Sequence, residues 1–401
     1  MGSFCRLPET ITRPQAWERV NMRIADSFRV VKLSEQDFAS LSGQWDHLLE
    51  RSQADPLFMS WSWLYTWWEC WGAALELELV LLAAYDQAGV LLGLGPFFRH
   101  CHRTPVGISV SRLHLIGNAW RIQSTVRTEY CGLIVDQKQA TEVRMALFEA
   151  LLKEAWDELV LCDLGHSENE HWRKLVLPGK GLIRVPRTRD SGIRIDTRPS
   201  FPQWLKGLGK NTRLKLYNRR NYLEKKGQLF HGRLDSKAMG QFLQRLNSFH
   251  ERRWGKPCFD DLAIQFHRGL VNRLHGHAGD IVLSEICFDG QCVAVQYDIR
   301  AGATMYNIQA GFMESFDNKV ALGTLHLGYL IEDSFTDPGV ENYDLLAGYG
   351  KNTFYKSHLN GLPVNFYTLQ IARRPLLRFM YQCQALLPQS WRKGLNRIFR
   401  L

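Results

Sequence analysis

The order of predicted elements runs through this chain twice, and that repetition limits the folds open to it more than any single motif does. The first pass starts with an extended run over Phe28–Leu33 and helix-period stretches over Ser34–Arg51 and Ser60–Trp71. Strands follow at Glu76–Asp86 and Val90–Phe98 across a Gly89 turn, then near Leu113 and at Tyr130–Val135. A helix over Thr141–Trp156 and a strand over Glu158–Leu164 end this pass. The second pass opens with Gln228–Arg233 and helices over Lys237–Arg253 and Leu262–His275. Three strands come next, at Asp280–Phe288, Gln291–Arg300 and Thr304–Phe312, with Asp289-Gly290 as a two-residue hairpin signal between the first two. A helix over Leu322–Phe335, a strand over Val340–Leu346, a short helix over Asn352–Leu359 and a strand over Val364–Ile371 complete it. First strands begin at 28 and 228 and hairpins at 76 and 280, an offset of about 200 residues. The expectation is an α/β protein of two tandem domains, each a mixed central sheet flanked by helices, alike in element order and not in residue identity. A length of 401 residues suits two such domains. Residues 28–200 are the first lobe and 228–372 the second, joined by a basic helix over 201–227 and flanked by tails at 1–27 and 373–401.

Charge is uneven along this plan. The chain carries a net +10, yet residues 205–227 alone hold eight Lys/Arg against Glu224, and nine more Lys/Arg follow Asp344, the last acid. Everything else is net negative, so the basic excess points to anionic partners at particular places. Past Pro388 the apolar residues Trp391, Leu395, Ile398 and Phe399 line one helical face, with Arg392, Lys393, Arg397 and Arg400 on the other. Such a helix suits an anionic membrane surface, or packs on the protein itself with its basic side in water. No apolar run approaches the length that spans a bilayer, and the N-terminus lacks the apolar core of a signal peptide. The nine cysteines contain no C-x-x-C pair, which reads as a reduced, cytoplasmic protein, peripheral on the inner membrane face if the tail binds there.

The order β-α-α-β-β-β-α-β-α-β is that of GNAT acyltransferases, and its doubling resembles the Fem-type peptidyltransferases. A closer resemblance is to the GNAT-like family of cellulose-biosynthesis acetyltransferases. It is carried by Phe58-x-x-Trp61-x-Trp63 with Trp67-Trp68, Asn211-Thr-Arg213 with Arg219-Arg220, and His250-Glu-Arg252-Arg253-Trp254. The last block is Tyr343-Asp344-x-x-x-Gly348 with Tyr355-Lys356. What the resemblance implies is an acyl-coenzyme A donor, no metal, and a site in the second lobe.

In such folds the donor's pyrophosphate meets the turn between the fourth strand and the next helix, where free N–H groups face the phosphates. Here that turn comprises Asn318, Lys319, Val320, Ala321, Leu322, Gly323 and Thr324, poorer in glycine than the usual family pattern. The matching turn of the first lobe, Val135–Ala140, has no glycine and places Asp136 where phosphate would arrive, so that lobe shapes the acceptor side of a cleft. Tyr355, in a pattern resembling N-x-x-x-x-Y but one residue short after Asn352, is the implied acid for the departing thiolate. His250 and Asp344 are candidate bases for the attacking amine, and Lys356 a candidate for phosphate or charge stabilisation. His250 as a helix end and Asp344 as an arginine's ion-pair partner are the structural alternatives.

Other signals are set aside. His100-Cys101-His102 and His275-Gly-His277 lack a second ligand pair at zinc spacing. There is no P-loop, G-x-S-x-G or G-x-G-x-x-G. The tryptophans at 63, 67 and 71 repeat at core-helix spacing, with an aromatic wall for sugars or acyl chains as the alternative. The expected activity is N-acyl transfer from acyl-CoA to an amine of a cell-envelope precursor: an amino sugar, a lipid amine or a sphingoid base. Two other classes stay open: Fem-like transfer from aminoacyl-tRNA, the only reading with a nucleic-acid partner, and a non-catalytic scaffold for envelope polysaccharide or lipid assembly.

Overall fold

A computed structural model describes residues 28–104, 107–176, 181–274, 279–348 and 356–386. The first half runs β1 (Arg29–Leu33), α1 (Glu35–Ser40), α2 (Ser42–Glu50), α3 (Trp61–Trp71), β2 (Glu78–Tyr85), β3 (Leu91–Arg103) and β4 (Ser109–Leu115). It continues with β5 (Ile134–Val135), α4 (Ala140–Lys153), β6 (Glu158–Leu164), α5 (His166–Leu175) and β7 (Ile183–Asp196). A linking segment holds α6 (Phe201–Gly207), α7 (Lys210–Arg213), a π-helical turn (Leu214–Asn218) and α8 (Arg219–Glu224). The second half is β8 (Leu229–Leu234), α9 (Met239–Trp254), α10 (Asp261–Arg273), β9 (Asp280–Phe288), β10 (Gln291–Ala301), β11 (Thr304–Phe312), α11 (Leu322–Thr336), β12 (Asn342–Ala347), β13 (Leu362–Ala372) and α12 (Pro375–Leu386). The doubled order expected from the sequence is therefore present, and each copy closes with a strand of its own.

All strands join one sheet of thirteen, in the order β1-β2-β3-β4-β6-β13-β7-β12-β11-β10-β9-β8, with β5 on β3. The two closing strands are exchanged. β7, from the first half, pairs antiparallel with β12 of the second, Arg194 opposite Asp344. β13, from the second half, pairs antiparallel with β6 of the first, and β7 and β13 pair with each other along Leu362–Ala372. Each half thus completes the other's sheet, so the lobes cannot separate without breaking backbone ladders.

The hairpin signal holds: Asp289 and Gly290 both take left-handed backbone, with φ of 49° and 78°, as a two-residue turn of this hand requires. Trp45, Trp63, Trp67 and Trp71 are buried to 1% exposure or less, in one core that joins both lobes on one face of the sheet. α3 carries three of them at every fourth position and packs on Phe266 of α10, 5.0 Å from Trp63 and 5.6 Å from Trp71. These tryptophans are the interlobe core and not a ligand wall. The opposite face is covered by α4 and α5 over the first lobe and by α11 with α6 over the second.

Three expectations change. The stretch 203–227 is not one helix: Leu208 turns to extended backbone (ψ 146°) as its side chain buries, and the π turn interrupts the rest. Of the expected strand at Tyr130–Val135 only Ile134–Val135 forms a strand, beside an isolated bridge from Cys131 to Leu164, because Tyr130 is left-handed (φ 53°) and Leu133 gives its N–H to Glu168. β7 and α5 are additional elements. Tyr355, most of the short helix at 352–359 and the tail beyond 386 lie outside the described residues.

Candidate active site

The second lobe's sheet opens into a wedge. β11 and β12 pair in parallel only from Thr304 opposite Asn342 to Tyr306 opposite Asp344. Beyond that pair they part, because β11 carries one extra residue, Ile308, where its register against β10 slips between Tyr297 and Asp298. Buried polar groups pin the bulge: Asp298 accepts from Asn307 Nδ2 (2.8 Å), Tyr343 Oη (2.7 Å) and Gln296 Nε2 (3.2 Å). Burial raises the Asp298 carboxyl to about 6.

Side chains from five distant segments meet at the vertex. Tyr343 and Leu345 face the core under α11, so Asp344 and Leu346 face the other side, as does Arg194 between Ile193 and Ile195. Asp344, fully buried, accepts from Tyr130 Oη at 2.5 Å, from Arg194 Nε at 2.9 Å and from the Leu346 N–H at 2.8 Å. Its lone pairs are taken up by a cation and two donors, which makes it the anchor of the vertex.

Tyr306, directly beside Asp344 in the ladder, gives its Oη to Asp55 Oδ2 at 2.9 Å. The other Asp55 oxygen takes the N–H groups of Leu57 and Phe58 at 3.0 and 2.9 Å. Burial pushes this carboxyl up to about 6, with Asp344 adding to the rise and the hydrogen bonds and Arg194 opposing it. Asp55 is the one vertex carboxylate that is partly exposed, and its pKa lies close to neutrality. Alongside, the buried Glu129 takes the Ala347 N–H at 2.9 Å, and burial raises it to about 8.

Strain gathers at this place. Of the seven non-glycine residues with positive φ among the described residues, Tyr130, Asp163 and Leu346 line the vertex and its continuation, and Arg121 lies just beyond. Left-handed backbone costs about 1–2 kcal/mol at each such residue, a cost that functional sites characteristically carry.

The donor-side turn has its own chemistry. α11 starts behind Ala321, which offers no side-chain cap, so its first amides stay available at the positive end of the helix. Lys226, Arg219 and Lys319 gather on the Tyr222 ring at 4.6, 5.4 and 5.7 Å. Asp317 answers them, taking Lys226 Nζ at 2.9 Å and the Lys319 N–H at 2.7 Å. Three cations against one carboxylate leave the turn positive, and a phosphorylated donor fits it. Val320 and Leu322 anchor the turn in the core, Asn318 and Lys319 are exposed, and Thr324 lies in the first turn of α11. Gly323 is needed for packing, since a Cβ there would meet the Phe312 ring at 2.5 Å. The first lobe's equivalent turn is closed by Asp136, which caps Lys138 and binds Arg51 at 2.8 Å.

Of the other residues singled out from the sequence, the structure brings Asp344 and Lys356 together. Lys356, buried, gives its ammonium to the carbonyls of Leu345, Leu346 and Ala347 at 2.6–3.3 Å, fixing the end of β12. Burial lowers its pKa. His250 is engaged elsewhere, with Nε2 3.0 Å from the Ala310 carbonyl of β11. Asp55, Tyr130, Arg194, Tyr306 and Glu129 were not singled out. Asp55 alone carried a signal, standing three residues before Phe58, whose ring meets Tyr306 at 5.5 Å.

Comparison with known proteins agrees with this architecture. Residues 210–357 match the family described as "Acetyltransferase (GNAT) domain". The crystal structure of FemX superposes with a TM-score of 0.57 at 12% identity, covering 88% of this chain and 99% of that one. A conserved protein of unknown function from Bacteroides thetaiotaomicron VPI-5482 gives 0.51 at 10% identity, with 86% and 100% covered. The C-terminal domain of an Agrobacterium fabrum protein assigned as a lysylphosphatidylglycerol synthetase gives 0.50 at 8%, with 87% and 96% covered. No curated protein matches the chain in sequence. The chain has a tandem GNAT fold, with an acetyltransferase-type domain in its second lobe.

Proposed function

We propose that this protein is an N-acyltransferase that takes an acyl group from acyl-coenzyme A and passes it to an amine of a cell-envelope precursor, an amino sugar, a lipid amine or a sphingoid base. One observation carries the reading: the wedge between β11 and β12 closes on the Tyr306/Asp344 pair, where a partly exposed carboxyl of pKa about 6 waits beside a fixed charge cluster. Bound acyl-CoA supplies an activated acyl group with a thiol as leaving group. The uncapped α11 terminus with Lys319, Lys226 and Arg219 would hold its phosphates. Asp55 accepts the proton of the incoming ammonium, and Tyr306 orients the carboxylate for that transfer. Arg194 and Asp344 hold Tyr130 Oη in place at the vertex. His250 and Lys356 are positioning residues in this scheme, one fixing β11 and the other β12. The resemblance to cellulose-biosynthesis acetyltransferases is part of the reading.

A membrane surface belongs to it too. No helix among the described residues is long and apolar enough to cross a bilayer. α12, however, exposes Leu376, Phe379 and Leu386 (43, 64 and 87%) along one face, together with Cys383. By sequence the basic amphipathic tail follows directly. An apolar stripe continued by basic residues is suited to an anionic leaflet.

The test is turnover: acetyl- and longer acyl-CoA are offered with glucosamine, ethanolamine and sphinganine, and thiol release is read with acyl-amine formation by mass spectrometry. Amine-dependent thiol release that falls at least 100-fold in Asp55→Asn supports the scheme. A second reading, aminoacyl transfer from tRNA, draws on the full-length likeness to FemX and on the exposed Lys206, Lys210 and Lys215 of the linking segment. Amine acylation from charged tRNA and none from CoA thioesters would favour it.

A further inference from the structure

The first lobe repeats the wedge. β4 and β6 pair in parallel only from Arg112 opposite Glu158 to His114 opposite Val160, and then part. Beyond the parting lies a cavity of about 660 Å³ lined by Asn118, Trp120, Arg121, Ser124, Thr125 and Thr188, among others. Its chemistry is that of an oxyanion site. Arg121 stacks its guanidinium on the Trp120 ring at 4.0 Å and is held in left-handed backbone at φ 64°. Among the described residues no carboxylate lies within ion-pair distance of it, whereas Arg127 on the same wall is matched by Asp163 and Asp190. Partial desolvation, with Arg187 and Arg112 nearby, draws the Arg121 guanidinium down to about 10, so an anion there is favoured. Ser124, Thr125 and Thr188 bring hydroxyls to the same cavity, while the Asn118 amide is engaged by Asp163 at 3.0 Å.

The cavity and the vertex share a strand. On β7, Thr188, Asp190, Gly192 and Arg194 share one face, so a single strand carries cavity wall, Arg127 partner and Asp344 partner in turn. Thr188 on the far wall stands six residues, about 20 Å of strand, from Arg194, whereas Arg127 on the near wall lies 3.8 Å from Glu129 of the vertex.

We infer that the first-lobe cavity binds the phosphoryl group of the acceptor, with Arg121 and the hydroxyls of Ser124 and Thr125 around its oxygens and Trp120 against the group that carries it. Its role as the acceptor's handle rests on the acyltransferase reading; phosphate binding does not.

The experiment is direct binding to the full-length protein, by calorimetry and thermal shift, of inorganic phosphate, glucosamine 6-phosphate and vesicles of phosphatidylethanolamine in phosphatidylcholine. Glucosamine and phosphatidylcholine vesicles are the controls. The expected result is saturable binding of at least one phosphorylated probe, weakened at least tenfold in Arg121→Gly and Arg121→Gln. Arg121→Gly should also raise the melting temperature of the unliganded protein, because glycine accepts φ 64° without strain. Response to the soluble phosphates identifies a soluble acceptor, and response to the vesicles alone a lipid headgroup; either supports the site. Affinity that Arg121 does not affect, or glucosamine bound as tightly as its phosphate, overturns it. Binding as predicted in a protein that transfers no acyl group would refute the reaction and leave the site standing.

Discussion

Replacing Asp55 by asparagine separates its cost to the fold from its use to the site. The folded carboxyl titrates near 6 rather than 3.8, mainly because it is buried, so the folded state binds its proton more tightly than the unfolded state. Below about pH 4 both states hold the proton and nothing is lost. As pH rises through 6 the unfolded chain ionises first, so folding stability falls, and the full cost is present above pH 6. The rise from 3.8 to about 6 corresponds to about 3 kcal/mol, and partial exposure of the side chain brings this to about 1–2 kcal/mol. Asparagine keeps an acceptor for the Leu57 and Phe58 N–H groups and turns a donor toward Tyr306 Oη, so the local turn survives. Urea unfolding should therefore show Asp55→Asn more stable than the parent by about 1–2 kcal/mol at pH 8 and by about half as much at pH 5, while turnover falls. Equal gains at both pH values, or a loss at pH 8, would refute the assignment of a desolvated, proton-retaining carboxyl.

Three further outcomes follow from the sequence and the proposed site together. Tyr355→Phe should lower kcat by about 10²–10⁴ in amine acylation assays while calorimetry shows donor affinity unchanged. Gly323→Asp should abolish CoA binding, through charge and through the Phe312 ring 2.5 Å from any Cβ, and Asp136→Asn should leave it unaltered; both are read by calorimetry on variants of native circular dichroism. Removing residues 389–401 should eliminate salt-sensitive co-sedimentation with phosphatidylglycerol vesicles, with a smaller remainder from the α12 stripe.

The doubled fold was legible because hydrophobic period and hairpin chemistry are local properties, and Asp289-Gly290 and the α3 tryptophans report them faithfully. β7 was hidden for an equally physical reason. Its run interleaves Ile183, Val185 and Ile193 with four arginines and includes Pro186, a pattern that reads as solvent-exposed irregular chain. The strand is stable because it lies between β13 and β12 and its arginines find partners, Gln370, Asn365 and Asp344 among them, that no local window contains. The site divides in the same way. Asp344 and Lys356 stood in a family-like block, whereas Asp55, Tyr130, Arg194 and Tyr306 come from segments up to about 250 residues apart and acquire meaning only when β7 crosses between the lobes. The tetrad around Asp298 was equally unreadable, since it depends on a bulge that places Asn307 opposite Asp298.

The central claim is that the wedge of the second lobe takes a CoA thioester, and the most direct measurement is calorimetric titration of the full-length protein with acetyl-, octanoyl- and palmitoyl-CoA. The account predicts one site per chain, an affinity that depends on acyl length, and at least tenfold weakening when Lys226 and Lys319 are both replaced by glutamine. The absence of binding by every CoA thioester to the folded protein would contradict it.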